Sequence, residues 1–459
     1  MSFFKANDMR GVFGSDFDLD TVYRVGRCLP SVLGLKGRRV LVGRDARLSS
    51  DKMRDALCRG LAESGCAVDD MGPATTPMVY FFTAKEGYDA SVQITASHNP
   101  KEHNGMKVSL AGAVPVGYDG DAGLGALEAR VRSGELPPPV PGGAVRPVAC
   151  RDAFVAWLLE RKGDLSGLRF AVDCSNGMAG LLAREVLGEA VCYLNDTLDG
   201  NFPGHAPNPL EVENCAQLMK AVKAGGLDAG VIFDGDADRV MFVDETGAFV
   251  QPDYLIPVIA RAFLGREPGA TVIYDIRTSR GASETLHDEG AETVMWKVGH
   301  AFAKKLMRER KAVCGGEFAG HYYFRDFFCC DSGELAALIV LGAIAEAKRR
   351  GVTFSQLMKP IIRYANSGEM NFKGQEKDAA IAAVRAAIAP FGEPAAVYDF
   401  DGLRIEYADW WLSVRKSNTE PYLRLIVEAR DTEMLAARVA LLEGVVKTLG
   451  FAREEPKHA

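Results

Sequence analysis

Four short segments of this chain carry side chains that could do chemistry together. Ser97 lies in segment 95–100, between an apolar stretch and an Asn-Pro pair that forces a turn, so its hydroxyl is presented rather than packed. Segment 234–239 contains three alternating aspartates, 316–321 is a polar Gly-Glu-Phe-Ala-Gly-His loop, and 415–421 combines Arg, Lys, Ser, Asn and Thr. In this order they could supply a nucleophile, a cation site, a segment that reads a ligand and an anion clamp.

The spacing of the three aspartates predicts a cation site. The three residues are Asp234, Asp236 and Asp238. Alternating carboxylates after a buried strand place three hard oxygen ligands on one side of a loop, which suits Mg²⁺ and leaves positions for phosphate or water. A calcium-binding EF-hand is the alternative, since Glu245 falls at its twelfth position. However, Arg239 stands where that loop needs glycine, so we expect Mg²⁺, with Arg239 beside phosphate oxygens.

Ser97 has three possible roles. A loop of this composition could simply cap a helix, and a serine hydrolase would place the serine in a G-x-S-x-G turn. Here Ala96 and His98 replace the two glycines, and His98 is badly placed to be the base for its own neighbour. A phosphorylated Ser97 fits better, because its phosphate oxygens could reach a cation on the aspartate loop in a phosphoryl transfer.

Three repeated units would bring these segments together. Each unit opens with an apolar strand that ends in aspartate, at Asp45, Asp173 and Asp275. A helix, a second strand, another helix and a third strand follow, and the third strand leads into the Ser97, Asp234 or Glu317 segment. Strands that alternate with helices predict mostly parallel sheets, in which ligand-binding groups collect at the carboxyl ends of the strands. Three equivalent loops could therefore line one cleft.

Turn-rich segments indicate where the units end. The stretch 134–143 contains four prolines and three glycines, 244–248 is a predicted turn after a strand, and a weaker break lies near Pro360. Beyond it, 402–415 alternates as a hairpin would, and 423–429 is another predicted strand. We expect four domains, over 1–145, 146–246, 247–361 and 362–459, of which the last is a small α+β domain.

Composition excludes several classes of protein. The chain has 459 residues, too many for one core, and a net charge of −7, which offers no general attraction to nucleic acid or to anionic membranes. The longest apolar run, 335–345, is shorter than the roughly 18 residues of a membrane span, and residues 1–5 do not resemble a signal peptide. The ten cysteines contain no CxxC pair and are expected to be reduced core residues. We expect a cytoplasmic protein that binds anions only locally.

Taken together, the four segments resemble those of the α-D-phosphohexomutases, and within them the bacterial phosphomannomutase/phosphoglucomutase group. The resemblance covers essentially the whole chain, with the four motifs in the family's order. It implies three domains of shared α/β topology and a fourth that is TATA-binding-protein-like. It also implies an isomerase, an intramolecular phosphotransferase that interconverts hexose 1-phosphate and hexose 6-phosphate. Mg²⁺ and a hexose 1,6-bisphosphate intermediate or activator would be required.

The resemblance also implies roles for individual residues. Ser97 is the phosphoserine and lies with the three aspartates at the metal. Residues near the reacting oxygen, and therefore catalytic, are Arg10, Lys107, Arg239 and His300. Residues that bind the substrate are Arg277, Lys297, His300, Glu317, Ala319, His321, Arg415, Ser417, Asn418 and Thr419. From the residues alone, Arg10 and Lys107 could instead be members of surface ion pairs, and His98 could orient the loop or touch the substrate.

Two departures from the family pattern bear on specificity. Asn7 stands where Tyr is common, and Ala319 stands where Ser is common, which removes a hydrogen bond typically worth about 1 kcal/mol. Asn418 argues against a phosphoglucosamine mutase, which remains an alternative. A non-catalytic phosphosugar-binding or regulatory protein of the same fold is the other, although it would need neither the serine nor the metal. We expect a small phosphosugar as the only partner, mannose or glucose as the sugar, and a monomer or weak dimer.

Overall fold

In a computed structural model, residues 3–35, 39–417 and 422–454 are described and form four β-sheets with helices packed against them. Sheet I contains the strands Met9–Val12, Arg39–Arg44, Ala67–Pro73, Ala90–Ile94, His103–Leu110, Val114–Pro115 and Ala144–Pro147. Its helices are Leu19–Val32, Ser50–Glu63, Thr76–Lys85 and Leu124–Arg132, with a 3₁₀ turn at Ala111–Ala113. Across the sheet the order is 9–12, 103–110, 90–94, 39–44, 67–73 and 144–147.

Sheets II and III have five strands each. Sheet II contains Phe170–Asp173, Cys192–Leu194, Ala229–Phe233, Val240–Asp244 and Phe249–Val250, with helices Arg151–Leu159, Ala183–Leu187 and Ala216–Gly225 and 3₁₀ turns Met178–Leu181 and Val212–Cys215. Sheet III contains Thr271–Asp275, Glu292–Trp296, Cys314–Gly316, Tyr322–Phe324 and Cys330–Asp331. Its helices are Leu255–Leu264, Arg280–Asp288, His300–Arg310, Gly333–Arg349 and Phe354–Met358, with 3₁₀ turns Pro252–Tyr254 and Arg325–Phe327.

Sheet IV is antiparallel. Its strands are Ala365–Asn366, Met370–Lys373, Ala396–Tyr398, Leu403–Glu406, Trp410–Lys416, Tyr422–Ala429 and Ala452–Arg453, and its helices are Lys377–Ile388 and Thr432–Thr448, with a 3₁₀ turn at Ala389–Phe391. The predicted hairpin is confirmed, because Leu403 pairs with Val414 and Glu406 with Trp411. This is the α+β unit expected at the end of the chain.

The threefold repeat is confirmed. In each of sheets I to III the first strand of the repeat lies between the third and the second, all three are parallel, and the next strand pairs antiparallel with the third. Among the described strands, parallel pairing occurs between the repeated strands and with Ala144–Pro147, and the other pairs are antiparallel, so the sheets are mixed. Loops after the three third strands therefore leave from equivalent edges.

One strand crosses an expected domain boundary. Ala144–Pro147 pairs in parallel with Ala67–Pro73 and so belongs to sheet I, although the boundary was expected between residues 145 and 146. The proline-rich stretch 134–143 before it is therefore an excursion that returns to the same sheet. The prolines and glycines of this stretch indicated a break in regular structure, but they carried no signal about which sheet the chain joins next. The remaining boundaries stay predictions.

Sheets I to III share a hydrophobic core. One cluster of buried residues contains Leu41 and Phe82 from the first unit, Val231 from the second, and Val272 and Phe324 from the third. Helix Thr76–Lys85 explains how this arises: it is apolar on every side, begins at the side-chain cap of Thr75, and is buried almost completely. A helix without a polar face must pack between other elements, so this one joins the three units. Sheet IV has its own separate core cluster.

Candidate functional site

The Ser97 loop is held in an unusual backbone conformation. Ser97 has a positive φ of 52° and is 1% exposed. Its amide donates to Thr95 Oγ1 at 2.8 Å, and its hydroxyl donates to Asp234 Oδ2 at 2.7 Å. His98 Nδ1 lies 3.3 Å from the same hydroxyl. A left-handed conformation at a residue with a side chain costs about 1 kcal/mol or more, and the surrounding bonds must offset it.

Arg47 provides those bonds, and we had not predicted a role for it. All five of its N–H groups are used: Nε donates to Asp45, and the two Nη groups donate to four carbonyl oxygens of the Ser97 loop. These carbonyls belong to Ser97, Asn99, Pro100 and His103. Asp45 is itself fixed by the Arg47 amide and the Ser50 hydroxyl. The strand-ending aspartate of the first repeat thus positions the nucleophile through an arginine.

The three aspartates form one buried cluster beside Ser97. One carboxylate oxygen from each lies within 4.8 Å of the others, and all three side chains are fully buried. Gly235 is required between them, because a Cβ at that position would lie 2.5 Å from the carbonyl oxygen of Ser97. Glu245 lies elsewhere, where it accepts from the amide and hydroxyl of Ser355, so the EF-hand alternative is wrong.

The donor set of this cluster fits a divalent cation. Oδ1 of Asp236 and Oδ1 of Asp238 are buried without a hydrogen-bond partner in the described part of the chain. Burial and the charges of Asp236 and Asp238 raise the pKa of Asp234 well above its usual range. Lys107 and Arg239 supply two positive charges against three carboxylates. A buried, uncompensated negative charge is costly, and a metal ion would compensate it.

Lys107 is central to the cluster. Its Nζ donates to Asp236 at 2.7 Å and to Asp238 at 2.5 Å, and its side chain is 4% exposed. Although burial alone would lower it, the charges of these two carboxylates raise the pKa of Lys107. Thr76 also donates to Asp236, at 2.5 Å. Lys107 is therefore a charged member of the site, and the alternative of a surface ion pair is wrong.

Arg10 and the two histidines complete this side of the site. Arg10 donates to Asn99 Oδ1 at 2.7 Å and to Asp8 at 2.6 Å, and thus joins the Ser97 loop to the first strand. Burial, together with the positive charges around each ring, lowers the pKa of both His98 and His300 well below the usual value. Neither ring nitrogen of His300 has a partner among the described residues. The ring nitrogens of the neutral His300 imidazole are therefore available to hydrogen-bond a ligand or to accept a proton.

The third loop reaches the aspartate cluster through His321. Arg239 Nε donates to His321 Nε2 at 2.9 Å, and the two residues also form an isolated β-bridge. Glu317 lies deeper, where Tyr323 donates to it at 2.7 Å, and burial raises its pKa. Ala319 is buried and offers only a methyl group. Both nitrogens of His321 are paired within the protein, which the residue pattern did not indicate.

A second charged cluster joins sheets III and IV. Arg277, 1% exposed, donates to Asp275 at 2.7 Å and to Glu369 at 3.3 Å, and lies 3.8 Å from Glu317. Arg415 donates to Asp401, whose carboxylate also accepts from the amide of Val298 at 2.9 Å.

The rest of the predicted clamp lies around this cluster. Lys297 is adjacent to Val298 and lies 5.9 Å from the ring of Phe302, and the Ser417 amide donates to the carbonyl of Tyr422. Asn418 and Thr419 lie outside the described residues. Arg415 thus belongs to one charged cluster and the Ser97 loop to another. The loop that carries Glu317 and His321 contacts both clusters.

A recurring turn shows what signal the sequence held for Arg47. In each repeat the strand-ending aspartate accepts from the amide two residues later, which belongs to Arg47, Ser175 or Arg277. An Asp-x-Arg pair at both 45–47 and 275–277 could therefore have identified Arg47, because Arg277 was already a candidate. Lys304 and Asp331, which contact one another behind His321, had no comparable signal.

This arrangement is suited to phosphoryl transfer. A buried hydroxyl, three carboxylates that fit a metal and several fixed cations are the groups that such a reaction needs to hold negative oxygens in place.

All ten cysteines are free and eight are buried, while Cys192 is exposed and Cys150 intermediate. No helix of the described chain has the length and apolar character that a membrane span requires.

Comparison with known proteins follows the same division of the chain. Family models described as phosphoglucomutase/phosphomannomutase match in order: alpha/beta/alpha domain I over 1–129, domain II over 152–247, domain III over 251–364, and the C-terminal domain over 369–442. A phosphomannomutase of Salmonella montevideo is 38% identical over 95% of this chain and 96% of its own. A phosphomannomutase/phosphoglucomutase of Pseudomonas aeruginosa is 35% identical, over 95% and 94%. A crystal structure of a phosphoglucomutase/phosphomannomutase family protein from Burkholderia thailandensis has a TM-score of 0.86 at 31% identity, covering 98% and 97%.

Proposed function

Because the chain belongs to the phosphoglucomutase/phosphomannomutase family, we propose that it is a mutase that interconverts hexose 1-phosphate and hexose 6-phosphate. The sugar is mannose, glucose or both. The observation that carries the proposal is the 2.7 Å contact between the Ser97 hydroxyl and Asp234, inside a buried cluster of carboxylates. A protein that only bound phosphosugars would have no use for a strained, buried serine beside three carboxylates, whose burial is costly.

The reaction consists of two opposite transfers. In the first, the bond between phosphorus and Ser97 Oγ breaks and Ser97 Oγ takes up a proton, while a bond forms to the free hydroxyl of the hexose monophosphate and that hydroxyl loses its proton. The product is a hexose 1,6-bisphosphate, which turns over in the cleft. In the second, the Ser97 hydroxyl loses its proton as the other phosphoryl group is transferred to it, and the sugar oxygen that is released takes up a proton. Added hexose 1,6-bisphosphate therefore acts as an activator by phosphorylating Ser97.

The carboxylates of Asp234, Asp236 and Asp238 are the proposed holders of Mg²⁺, together with an oxygen of phosphorylated Ser97. A bound Mg²⁺ ion supplies positive charge that offsets the negative charge of the transferring phosphoryl group. Lys107 and Arg239 add fixed positive charge, and Arg10 orients the loop through Asn99. After transfer, the free Ser97 hydroxyl donates to Asp234 as it does in this structure.

His300 is the proposed base for the sugar hydroxyl. Its ring nitrogens have no partner in the described chain, and burial and the charge of Lys304 lower its pKa, so the ring is neutral and can accept a proton. Glu317 and Lys297 are proposed to bind sugar hydroxyls beside it, and His321, Ala319 and Arg277 line the same part of the cleft. Arg415, Ser417, Asn418 and Thr419 are proposed to hold the phosphate that is not reacting.

Replacement of Ser97 tests the function directly. Ser97→Ala should lower kcat for conversion of glucose 1-phosphate and mannose 1-phosphate by orders of magnitude, because the group that carries the phosphoryl is lost. Intact-mass spectra should show one phosphoryl group on the parent protein and none on the variant. Ser133→Ala, an exposed serine in the same unit, is the matched control and should behave as the parent does. Parent-like turnover in Ser97→Ala would show that the reaction does not pass through this residue.

The choice of sugar requires a separate comparison. We propose that the parent enzyme has a higher kcat/KM for mannose 1-phosphate or glucose 1-phosphate than for glucosamine 1-phosphate. The opposite order would favour a phosphoglucosamine mutase. As part of the same proposal the protein works in the cytoplasm as a monomer or weak dimer, with a small phosphosugar as its partner.

A further inference from the structure

Four charged or polar side chains form a line behind the site. Asp331 Oδ2 lies 2.7 Å from His321 Nδ1, and Asp331 Oδ1 lies 2.7 Å from Lys304 Nζ. Arg239 Nε lies 2.9 Å from the other ring nitrogen of His321. Asp331 and Lys304 are both completely buried. The hydrogen bond from His321 is the direct link between Asp331 and the site, although the charges of Asp331 and Lys304 also act on His300. A route through His321 therefore has to be tested apart from that electrostatic effect.

The chemistry of the line decides where the proton of His321 lies. Arg239 Nε can only donate, so His321 Nε2 must be the acceptor. A neutral imidazole then carries its proton on Nδ1, and Nδ1 donates to Asp331. Although burial alone would raise it, the charge of Lys304 keeps the pKa of Asp331 well below its usual range, so Asp331 stays an acceptor. With the proton on Nε2 instead, the Nε2–H group of His321 would face the Nε–H group of Arg239 at 2.9 Å, and neither could accept a hydrogen bond from the other.

This tautomer controls the orientation of Arg239. The guanidinium group is a rigid planar fork, so holding Nε fixes the directions of its other donors. Arg239 Nε lies 3.9 Å from Asp234 Oδ2, the same oxygen that accepts from the Ser97 hydroxyl. The Arg239 amide also donates to Asp234. Arg239 is therefore held between the nucleophile's carboxylate and the imidazole.

A second metal site is the main alternative for these residues. Asp238, His321 and Asp331 have ligand atoms within 4.8 Å of one another. However, each already pairs with a cationic side chain: Lys107 with Asp238, Arg239 with His321, and Lys304 with Asp331. Three fixed cations next to these ligands would repel another cation.

We propose that Asp331 is a positioning residue for the mutase reaction: it fixes the Nδ1–H tautomer of His321 and so aims Arg239 at the phosphoryl group on Ser97. The catalytic role of Asp331 rests on the proposed mutase function. The tautomer of His321 does not depend on that function.

The tautomer can be measured without substrate. In ¹⁵N-histidine-labelled parent protein, correlations between ring nitrogens and ring protons should identify His321 as the Nδ1–H form, with His321→Gln used for assignment. In Asp331→Asn the ring should shift toward the Nε2–H form, because the amide can donate to Nδ1. The signals of His205, which contacts Asp173 in another unit, should stay unchanged. An Nε2–H form in the parent would overturn the proposal, even if Asp331→Asn does not fold.

A double-mutant cycle tests the catalytic half. Asp331→Asn should lower kcat by about tenfold or more, as removal of a residue that orients a ligating or catalytic histidine typically does, with KM changed less than about threefold. In the His321→Gln background, where the amide oxygen can still accept from Arg239, Asp331→Asn should cost less than about twofold. Equal losses in both backgrounds would refute an action through His321. Asp326→Asn, an exposed aspartate nearby, should retain parent kinetics.

The two arms separate this proposal from the proposed function. A parent protein with the Nδ1–H tautomer but no turnover of hexose monophosphates would refute the mutase function, and with it a catalytic role for Asp331. An active parent in which Asp331→Asn has parent kcat would refute only the positioning role. An Nδ1–H parent with the expected cycle would support both.

Discussion

Replacement of Arg47 by lysine keeps the positive charge but removes the fork that holds the Ser97 loop. Arg47 uses all five N–H groups, four of them on loop carbonyls, and its side chain is not exposed. Lysine has three donors at a single nitrogen, so at least two of these five acceptors lose their partner. Each buried acceptor left unsatisfied costs about 1–3 kcal/mol, which predicts a loss of roughly 2–6 kcal/mol in the free energy of unfolding.

The same change should affect the reaction. Ser97 would no longer be held in its left-handed conformation, and a displaced nucleophile lowers kcat steeply because transfer depends on alignment. We expect Arg47→Lys to show a lower urea midpoint with an unchanged m-value, a lower kcat, and slower phosphorylation of Ser97 by glucose 1,6-bisphosphate. Phosphorylation can be followed by intact mass.

A matched control separates this effect from the loss of any paired arginine in the first unit. Arg146 makes two bonds to Asp69 in the same unit, but its side chain is 67% exposed. Asp69 is buried, but it also accepts from Tyr88 and Arg39, so it keeps partners when Arg146 changes. Arg146→Lys keeps the charge and should change stability by no more than about 1 kcal/mol and leave kcat unchanged. If Arg47→Lys unfolds at the parent's urea concentration and retains its kcat, the loop is held by other contacts and our account of Arg47 is wrong.

Three further changes test other parts of the site. Chelation by EDTA should abolish transfer, and added Mg²⁺ should restore it. Asp236→Asn should raise the Mg²⁺ concentration for half-maximal activity by about tenfold or more. Activity that survives stringent chelation would exclude a required Mg²⁺ at the aspartate cluster. Arg415→Ala should raise KM for hexose monophosphates about 10- to 150-fold, since bonds from a guanidinium to phosphate are worth about 1.5–3 kcal/mol, and an unchanged KM would place the phosphate elsewhere. Burial raises the pKa of Glu334 to about 8, so its neutral form stabilises the fold and stability should fall as pH rises from the ordinary glutamate pKa through 8. Glu334→Gln should flatten that decline, which is on the order of 5 kcal/mol when fully developed, in melting temperatures measured from about pH 4 to 9. Parallel curves for parent and variant would contradict this expectation.

The convergence of the main groups could be predicted from the sequence. Ser97, Asp234 and Glu317 each follow the third strand of a repeat, and parallel strands end at one edge of a sheet, so the residue pattern sufficed to bring their loops together. Lys107 became a candidate only through the resemblance, and its role in the reaction stays a prediction. Its burial between Asp236 and Asp238 depends on a contact between two units that no local pattern reports.

The supporting residues were harder to predict. Arg47, Lys304 and Asp331 are buried charges, whereas a charged residue in a sequence is more often on the surface. Lys304 and Asp331 pair across two elements, and four of the five acceptors of Arg47 lie 50 or more residues along the chain. Their burial is intelligible only once the partners are known, because each pair offsets the desolvation of the other. Ala144–Pro147 was missed for a related reason, since its place in sheet I depends on pairing with a distant strand.

The hydrophobic core that runs through three of the four units has a consequence for heat denaturation. Units that share buried side chains, as Leu41, Val231 and Val272 do, cannot melt separately without exposing one another's interior, so they should unfold as one cooperative block. The fourth unit keeps its own core and meets the block through a small apolar contact of Trp411 and Ile426 with Phe318 and through polar contacts, among them those of Arg277 with Glu369 and of Arg404 with two carbonyls of the third unit. Its calorimetric transition can therefore be separate. A bound hexose phosphate that contacts both parts would bring the two melting temperatures closer together. The difference between the two melting temperatures therefore measures how strongly the predicted anion clamp at 415–421 is coupled to Ser97.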